Sequence, residues 1–208
     1  MGIDVYLPKR KGLIAMANNN DWALLQQQVA TCQQCTLHQN RIQTVFGAGN
    51  IDADWLLIGE APGFQENQQG QPFVGHSGQL LNNMLYALGL SREQIFITNI
   101  LKCRPPKNRD PQPEEIQACA NYLKQQIDRI QPKIILAIGR IAAQNLIKTE
   151  ATMGEIRGKP YRYGDTEIVI VATYHPSYLL RTPQAKKKTW LDLQLAMRIY
   201  QDIQTNKL

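Results

Sequence analysis

The sequence predicts an α/β fold, a three-layer α/β/α sandwich around a central four-stranded, mostly parallel sheet. Three observations carry this. Four short apolar runs have the length and composition of buried strands. Segments of helical periodicity separate them, and strands that alternate with helices build a parallel sheet covered on both faces. The chain has 208 residues, of which 43% are apolar and 19% charged, which suits one compact domain with a sizeable core.

The elements follow in order. Residues 1–20 show no clear periodicity, end in Asn18-Asn19-Asn20, and are expected to form an arm or tail; residues 21–208 form the domain. Asp21 is placed to cap a short helix over Trp22 to Ala30, which runs into the turn Cys32-Gln33-Gln34-Cys35. Asp54–Gly59 is a continuous apolar run ended by glycine, the first strand. Ser77 to Leu88 places Leu80, Leu81, Met84, Leu85 and Leu88 at helical spacing, and Gly89 closes that helix. Gln94–Thr98 is the second strand. Pro113 opens a long helix over Glu114–Ile130. Lys133–Ile138 is the third strand, and Gly139 leads into a helix through Leu146. Residues 154–167 are expected to form a short hairpin or loop. Glu167–Ala172 is the fourth strand, and a closing helix runs from about Pro183 to Gln204.

Composition narrows the function classes. No apolar run is long enough to cross a bilayer, and the first twenty residues lack the apolar core of an export signal, so a cytoplasmic protein is expected. The net charge of +6 leans toward a polyanionic partner. Four cysteines in a cytoplasmic chain do not suggest disulfides.

In open α/β sheets ligands bind at the carboxyl ends of the strands. Three informative segments follow three different strands: Gly59-Glu60-Ala61-Pro62-Gly63 the first, Asn99 the second, and His175-Pro176-Ser177 the fourth. They should converge on one edge. Residues 59–78 carry five glycines and two prolines but no Lys or Arg. They lack the GxxxxGK[ST] of a phosphate loop, and their carboxylates would repel phosphate. Backbone approach with Phe73 held between rigid elements suits a planar base instead. The Asn99 amide can read the O4/N3–H edge of uracil, where cytosine presents the opposite pattern. His175 can donate to a developing negative charge. Cys32 and Cys35 form a CxxC, while Cys103 and Cys119 stand apart. That spacing is compatible with a [4Fe–4S] cluster, with zinc, or with unligated thiols. Lys102–Arg109, Arg181 and Lys186-Lys187-Lys188 are basic segments suited to phosphate.

Together these segments resemble the family 4 uracil-DNA glycosylases, the iron–sulfur type. The resemblance rests on GEAPG (59–63), GQPFVGHSGQLL (70–81), TNILKCRPPKNRDPQPEEIQAC (98–119), HPSYLLR (175–181) and the CxxC, and runs from about Asp21 to the C-terminus. It implies the uracil-DNA glycosylase fold and hydrolysis of the N-glycosidic bond of deoxyuridine, with an abasic site left for base excision repair. By position it implies cluster ligands Cys32, Cys35, Cys103 and Cys119. It places uracil against Glu60, Ala61, Phe73, Asn99 and His175, with Glu60, Glu66 and His175 in the catalytic machinery and Glu66 expected to orient the water. DNA contacts are expected from Arg104, Lys107 and Arg181, with Tyr178, Leu179 and Leu180 wedging into the space a flipped base leaves. The substrate would be uracil-containing DNA, single- or double-stranded, bound by a monomer away from membranes.

Two departures stand out. The second acid that many relatives carry after Glu66 is Asn67 here, and the Lys-Arg-Arg-Ile-His insert of the DNA-cross-linking relatives is absent. The first motif holds Ala61 where aspartate-using glycosylases place their acid. The competing readings are a non-catalytic DNA-binding accessory module on the same fold and a zinc-stabilised hydrolase of free nucleotides.

Overall fold

A computed structural model describes residues 11–205. Its centre is a six-stranded sheet in the order β1-β3-β2-β4-β6-β5. The four expected strands are all present: β2 (Trp55–Gly59), β3 (Phe96–Asn99), β4 (Ile134–Ile138) and β6 (Val169–Thr173). They pair in parallel, in the order β3-β2-β4-β6. Two short antiparallel edges extend the expected sheet: β1 (Ala48–Gly49) on β3 and β5 (Pro160–Arg162) on β6. The second of these is the hairpin expected within residues 154–167.

Alternate residues of each buried strand face opposite layers, the period of two that a pleated strand imposes. Leu56, Ile58, Phe96, Ile135, Ala137, Ile170 and Ala172 pack with α1 (Lys11–Ala30), α4 (Pro113–Ile130), α5 (Arg140–Ile147) and α6 (Met153–Ile156). Trp55, Leu57, Ile97, Ile134, Leu136 and Val171 pack with α3 (His76–Ala87), α7 (Pro176–Arg181) and α8 (Lys186–Gln204). The sandwich is therefore three-layered.

Two expected helix starts are corrected, and helices form beside the site where none was expected. α1 begins at Lys11, not at Asp21, so the expected arm overlaps a helix; its first ten residues lie outside the described ones. Residues 13–17, Leu-Ile-Ala-Met-Ala, favour helix enough to carry it through the three asparagines. The stretch after β2 is not all loop, because α2 (Phe64–Gln69) forms within it and Gly70 closes it in the left-handed conformation. α7 forms directly behind His175 with proline in its first turn. The closing helix starts at Lys186 after a single tight turn. No helix among the described residues is long and apolar enough to cross a membrane.

From β2 the chain crosses to β3 on one side, then returns past β2 to β4 on the other. The sheet changes direction between β2 and β4, and the crevice at their carboxyl ends is where this topology leaves room for a ligand.

Candidate active site

The parallel register pairs Gly59 with Asn99, so the ends of β2 and β3 lie level. A methyl group at position 59 would fall 2.4 Å from Asn99 Oδ1 and 2.7 Å from Phe73 Cζ. Only glycine lets the amide and the ring share that space. The Phe73 ring lies 5.6 Å from the His175 ring, tilted by 31°. Phe73, Asn99 and His175, from three separate segments, are thus brought together at the crevice.

Asn99 is 2% exposed, and its Oδ1 has no hydrogen-bond partner among the described residues. A buried unpaired acceptor costs about 1–3 kcal/mol, which makes it a waiting acceptor for a ligand N–H. Its main chain is fixed from behind. Lys102, fully buried, donates from Nζ to Asn99 O (2.8 Å), Thr98 Oγ1 (2.6 Å) and Gln126 Oε1 (2.6 Å). Burial pushes this ammonium down to about 8. Lys102 is therefore an internal strut, a correction to its place in the phosphate-contacting segment.

His175 caps α7. The Ser177 backbone N–H donates to His175 Nδ1 at 3.1 Å, and Ser177 Oγ lies 2.7 Å from the same atom. An Nδ1 that accepts puts the proton of the neutral ring on Nε2. Burial and the nearby Arg181 charge lower the His175 pKa to about 4, so the ring is neutral at physiological pH.

Two carboxylates flank these groups. Glu60 is partly buried; burial first, then the Asp110 charge, raises its pKa to about 7 against the opposing pull of Arg140. Glu66 sits in the first turn of α2, and its Oε1 accepts from the backbone N–H groups of Val74 (2.9 Å) and Gly75 (3.0 Å). Asn67 is buried, and its Oδ1 accepts from the Ile42 N–H at 3.1 Å. The side chain that replaces the second acid thus holds a neighbouring loop.

Phe73 has φ 54°, a left-handed conformation that costs a non-glycine residue roughly 1–3 kcal/mol. The first turn of α3 presses on it: a Cβ at Gly78 would lie 1.8 Å from Phe73 O.

The expected DNA-facing residues divide. Leu180 is 47% and Tyr178 37% exposed, with Tyr178 stacked 4.9 Å from Tyr174. Leu179 is 1% exposed and packs in the core, so it has no surface to present, which corrects its expected place in the wedge. Successive helical residues point about 100° apart, so the three cannot share one face. Arg104 stands over the ring of exposed Phe64 at 5.1 Å and donates to Asn108 Oδ1. Arg109 is committed to an ion pair with Glu115. Lys107 and Arg181 are in no ion pair among the described residues.

All four cysteines line one cavity between α1 and α4, with Arg41 and Tyr122 at its wall. Arg41 Nη1 donates to Cys103 Sγ at 3.3 Å, the Lys102 backbone N–H to Cys119 Sγ at 3.3 Å, and the Gln34 N–H to Cys32 Sγ at 3.5 Å. Donors aimed at sulfur suit thiolates. Among the described residues no three His, Cys, Asp or Glu side chains are gathered closely enough for a single metal ion. One zinc would draw four sulfurs to about 3.8 Å from each other, given Zn–S bonds of about 2.3 Å. Four sulfurs around one cavity give the ligand count of a zinc site and of an iron–sulfur cluster alike.

Lys102, Arg41, Gly78 and Ser177 were not singled out by sequence for these roles. Only Ser177 carried a signal, as the residue after His-Pro at a strand end.

Residues 46–194 match the family model described as the uracil DNA glycosylase superfamily. The chain is 44% identical over 168 residues to a type-4 uracil-DNA glycosylase of Archaeoglobus fulgidus, covering 77% of this chain and 84% of that one. It is 44% identical over 171 residues to a type-4 uracil-DNA glycosylase of Saccharolobus solfataricus, covering 79% of each. A third, from Thermotoga maritima, is 42% identical over 159 residues, covering 76% and 82%.

If Gly78 provides clearance for the strained loop, Gly78→Ala will lower affinity for a planar base at the crevice and lower stability. Alanine at an unobstructed helical site would instead add about 1 kcal/mol. Urea unfolding, read beside uracil binding, decides the point.

Proposed function

The chain belongs to the uracil DNA glycosylase superfamily, and from that premise we propose that it excises uracil from DNA by hydrolysing the N-glycosidic bond of deoxyuridine, releasing the base and leaving an abasic site. It is a hydrolase of N-glycosyl bonds acting in DNA repair. The observation that carries the mechanism is the orphaned Asn99 Oδ1 beside the Phe73 ring. Uracil N3–H supplies the donor that this oxygen lacks. Cytosine offers a lone pair there and leaves two acceptors facing each other, a mismatch of the kind that gives strong discrimination.

The target nucleotide leaves the stack, at a cost of a few kcal/mol. Leu180 is the exposed apolar side chain that α7 offers as the wedge. Arg104, Lys107, Arg181 and the run Lys186–Lys188 are free of ion pairs among the described residues and hold the phosphates. Phe73 offers its ring face to the base, and Ala61 its backbone. As the glycosidic bond lengthens, negative charge gathers on uracil and positive charge on the sugar. His175, a neutral Nε2–H donor, stabilises the first without carrying a full charge into the pocket. Glu60 faces the second, and water adds to the sugar. A monomer working in the cytoplasm on single- or double-stranded DNA accords with this chemistry.

Cys32, Cys35, Cys103 and Cys119 are the residues to hold a [4Fe–4S] cluster. When bound it supplies four iron–thiolate cross-links between the end of α1, the segment after β3 and α4.

A labelled single-stranded oligonucleotide with one uracil tests the reaction. Free uracil and an alkali-labile site are expected, with none from thymine or cytosine controls; DNA binding without base release would favour the accessory-module reading. Asn99→Asp is expected to erode the preference for uracil over cytosine by roughly ten- to a hundredfold. A variant that keeps full selectivity would remove Asn99 from base reading.

Glu60 must be ionised to face a cation, so kcat/KM is expected to rise with pH through a limb near 7. Asp110→Asn, which removes the negative neighbour, should move that limb to lower pH. His175, with its pKa near 4, adds no limb between pH 5 and 8.

Anaerobically purified protein is expected to hold roughly four iron and four inorganic sulfide per chain. Zinc without sulfide would overturn the cluster.

A further inference from the structure

Phe73 carries the base-facing ring on a backbone that a non-glycine residue avoids. What holds it there lies outside the pocket. Arg92 follows α3, in the tight turn Arg92–Gln94 before β3. Its Nη1 donates to Phe73 O at 2.9 Å and to Asn82 Oδ1 of α3 at 3.1 Å, and its Nη2 donates to Pro72 O. Two successive carbonyls of the strained loop thus point at one guanidinium. The next two backbone N–H groups, of Val74 and Gly75, point at one carboxylate, Glu66. The loop is gripped by a cation on its carbonyl side and an anion on its amide side.

The choice of residue is informative. An arginine at the edge of a helix ordinarily reaches water or a carboxylate. Arg92 is in no ion pair among the described residues, and spends its donors on neutral oxygens. The planar fork fits two adjacent carbonyls, and an ammonium cannot copy it. Asn82 braces the guanidinium against α3, the same helix whose Gly78 admits the Phe73 carbonyl.

We propose that Arg92 is a positioning residue, which holds Phe73 in its left-handed conformation so that the ring faces the base, and that Glu66 is its counterpart on the same loop. This rests on the glycosylase reading and deepens it. It also assigns Glu66 Oε1 to the loop rather than to the attacking water.

The experiment compares wild type, Arg92→Lys, Arg92→Met and Glu66→Gln. Three readouts are taken: the inhibition constant of free uracil with kcat and KM on a single-stranded uracil oligonucleotide, affinity for a uracil-free oligonucleotide, and hydrogen exchange at the Val74 and Gly75 amides. Both Arg92 variants are expected to weaken uracil at least tenfold and to lower kcat/KM as much, with uracil-free DNA bound within twofold of wild type. Exchange at the two amides should rise at least tenfold. Glu66→Gln, whose amide oxygen accepts the same two N–H groups, should keep uracil affinity and exchange at the two amides within threefold of wild type. Arg92 variants that lose thermal stability but bind uracil normally would overturn the proposal. So would a Glu66→Gln that loses a hundredfold in kcat with uracil affinity intact, since the carboxylate would then belong to the water. If wild type itself released no uracil, the glycosylase reading would fall, and exchange at Val74 and Gly75 would still decide whether Arg92 holds the loop.

Discussion

The site depends on one close approach. At the end of β2 there is no side chain, and the space a Cβ would take is filled by the Asn99 amide and the Phe73 ring. That constraint propagates outward in two directions. Asn99 arrives by register: β3 runs parallel to β2 with Asn99 opposite Gly59. Phe73 arrives by strain, in a left-handed conformation that Gly78, Glu66 and Arg92 hold in place. One partner is delivered by the sheet and the other by a clamped loop. A strained residue and an unpaired buried acceptor are both unfavourable in the folded state. Their cost is met by two large apolar layers that have no part in the chemistry.

The charge arrangement follows the same division. A chain of net charge +6 would be expected to fill a DNA-facing crevice with cations, yet the groups at the crevice are a neutral histidine, an amide, an aromatic ring and carboxylates. Several basic residues are neutralised by acids elsewhere: Arg109 by Glu115, Arg157 by buried Asp192, and Arg140 by Asp110. Arg140 and Asp110 are also the two charges that pull the Glu60 pKa in opposite directions. A surface ion pair of little value to stability thereby acquires a role in setting the ionisation of a neighbouring carboxylate.

How much of this was legible in the sequence depends on range. The four buried strands were found to within two residues, because a run of branched apolar residues bounded by turns is a local signal. β1 was not, and β5 was bracketed only as a hairpin or loop, since strands of two and three residues are defined by what they pair with. α2 and α7 each have six residues, too few to show a period. Phe73, Asn99 and His175 stood out because residue type and a strand-end position coincide. Arg92 and Lys102 did not, because each acts on backbone carbonyls whose positions only the fold determines. Leu179 and Leu180 are adjacent and identical in type, and only the phase of a short helix sends one inward and the other out.

The segment that leaves β3 shows why the cysteine cavity and the crevice belong to one design. Asn99 is followed by Ile100 and Leu101, whose N–H groups donate to Gly59 O and Glu60 O. The segment thus lies across the end of β2 and consumes the carbonyls that would otherwise face a ligand. Lys102 then turns back, binding Asn99 O with its side chain and Cys119 Sγ with its backbone N–H, and Cys103 follows. Three residues lie between Asn99 and Cys103, whose sulfur lines the cavity. Among the described residues Lys102 is in no ion pair, and the three acceptors of its Nζ are neutral. An ammonium so placed tolerates little movement of those oxygens, because burial makes each lost hydrogen bond expensive. Fixing Cys103 and Cys119 therefore fixes the path of residues 99–103, and with it the main chain of Asn99. The cysteines thereby bear on the position of Asn99 from outside the crevice.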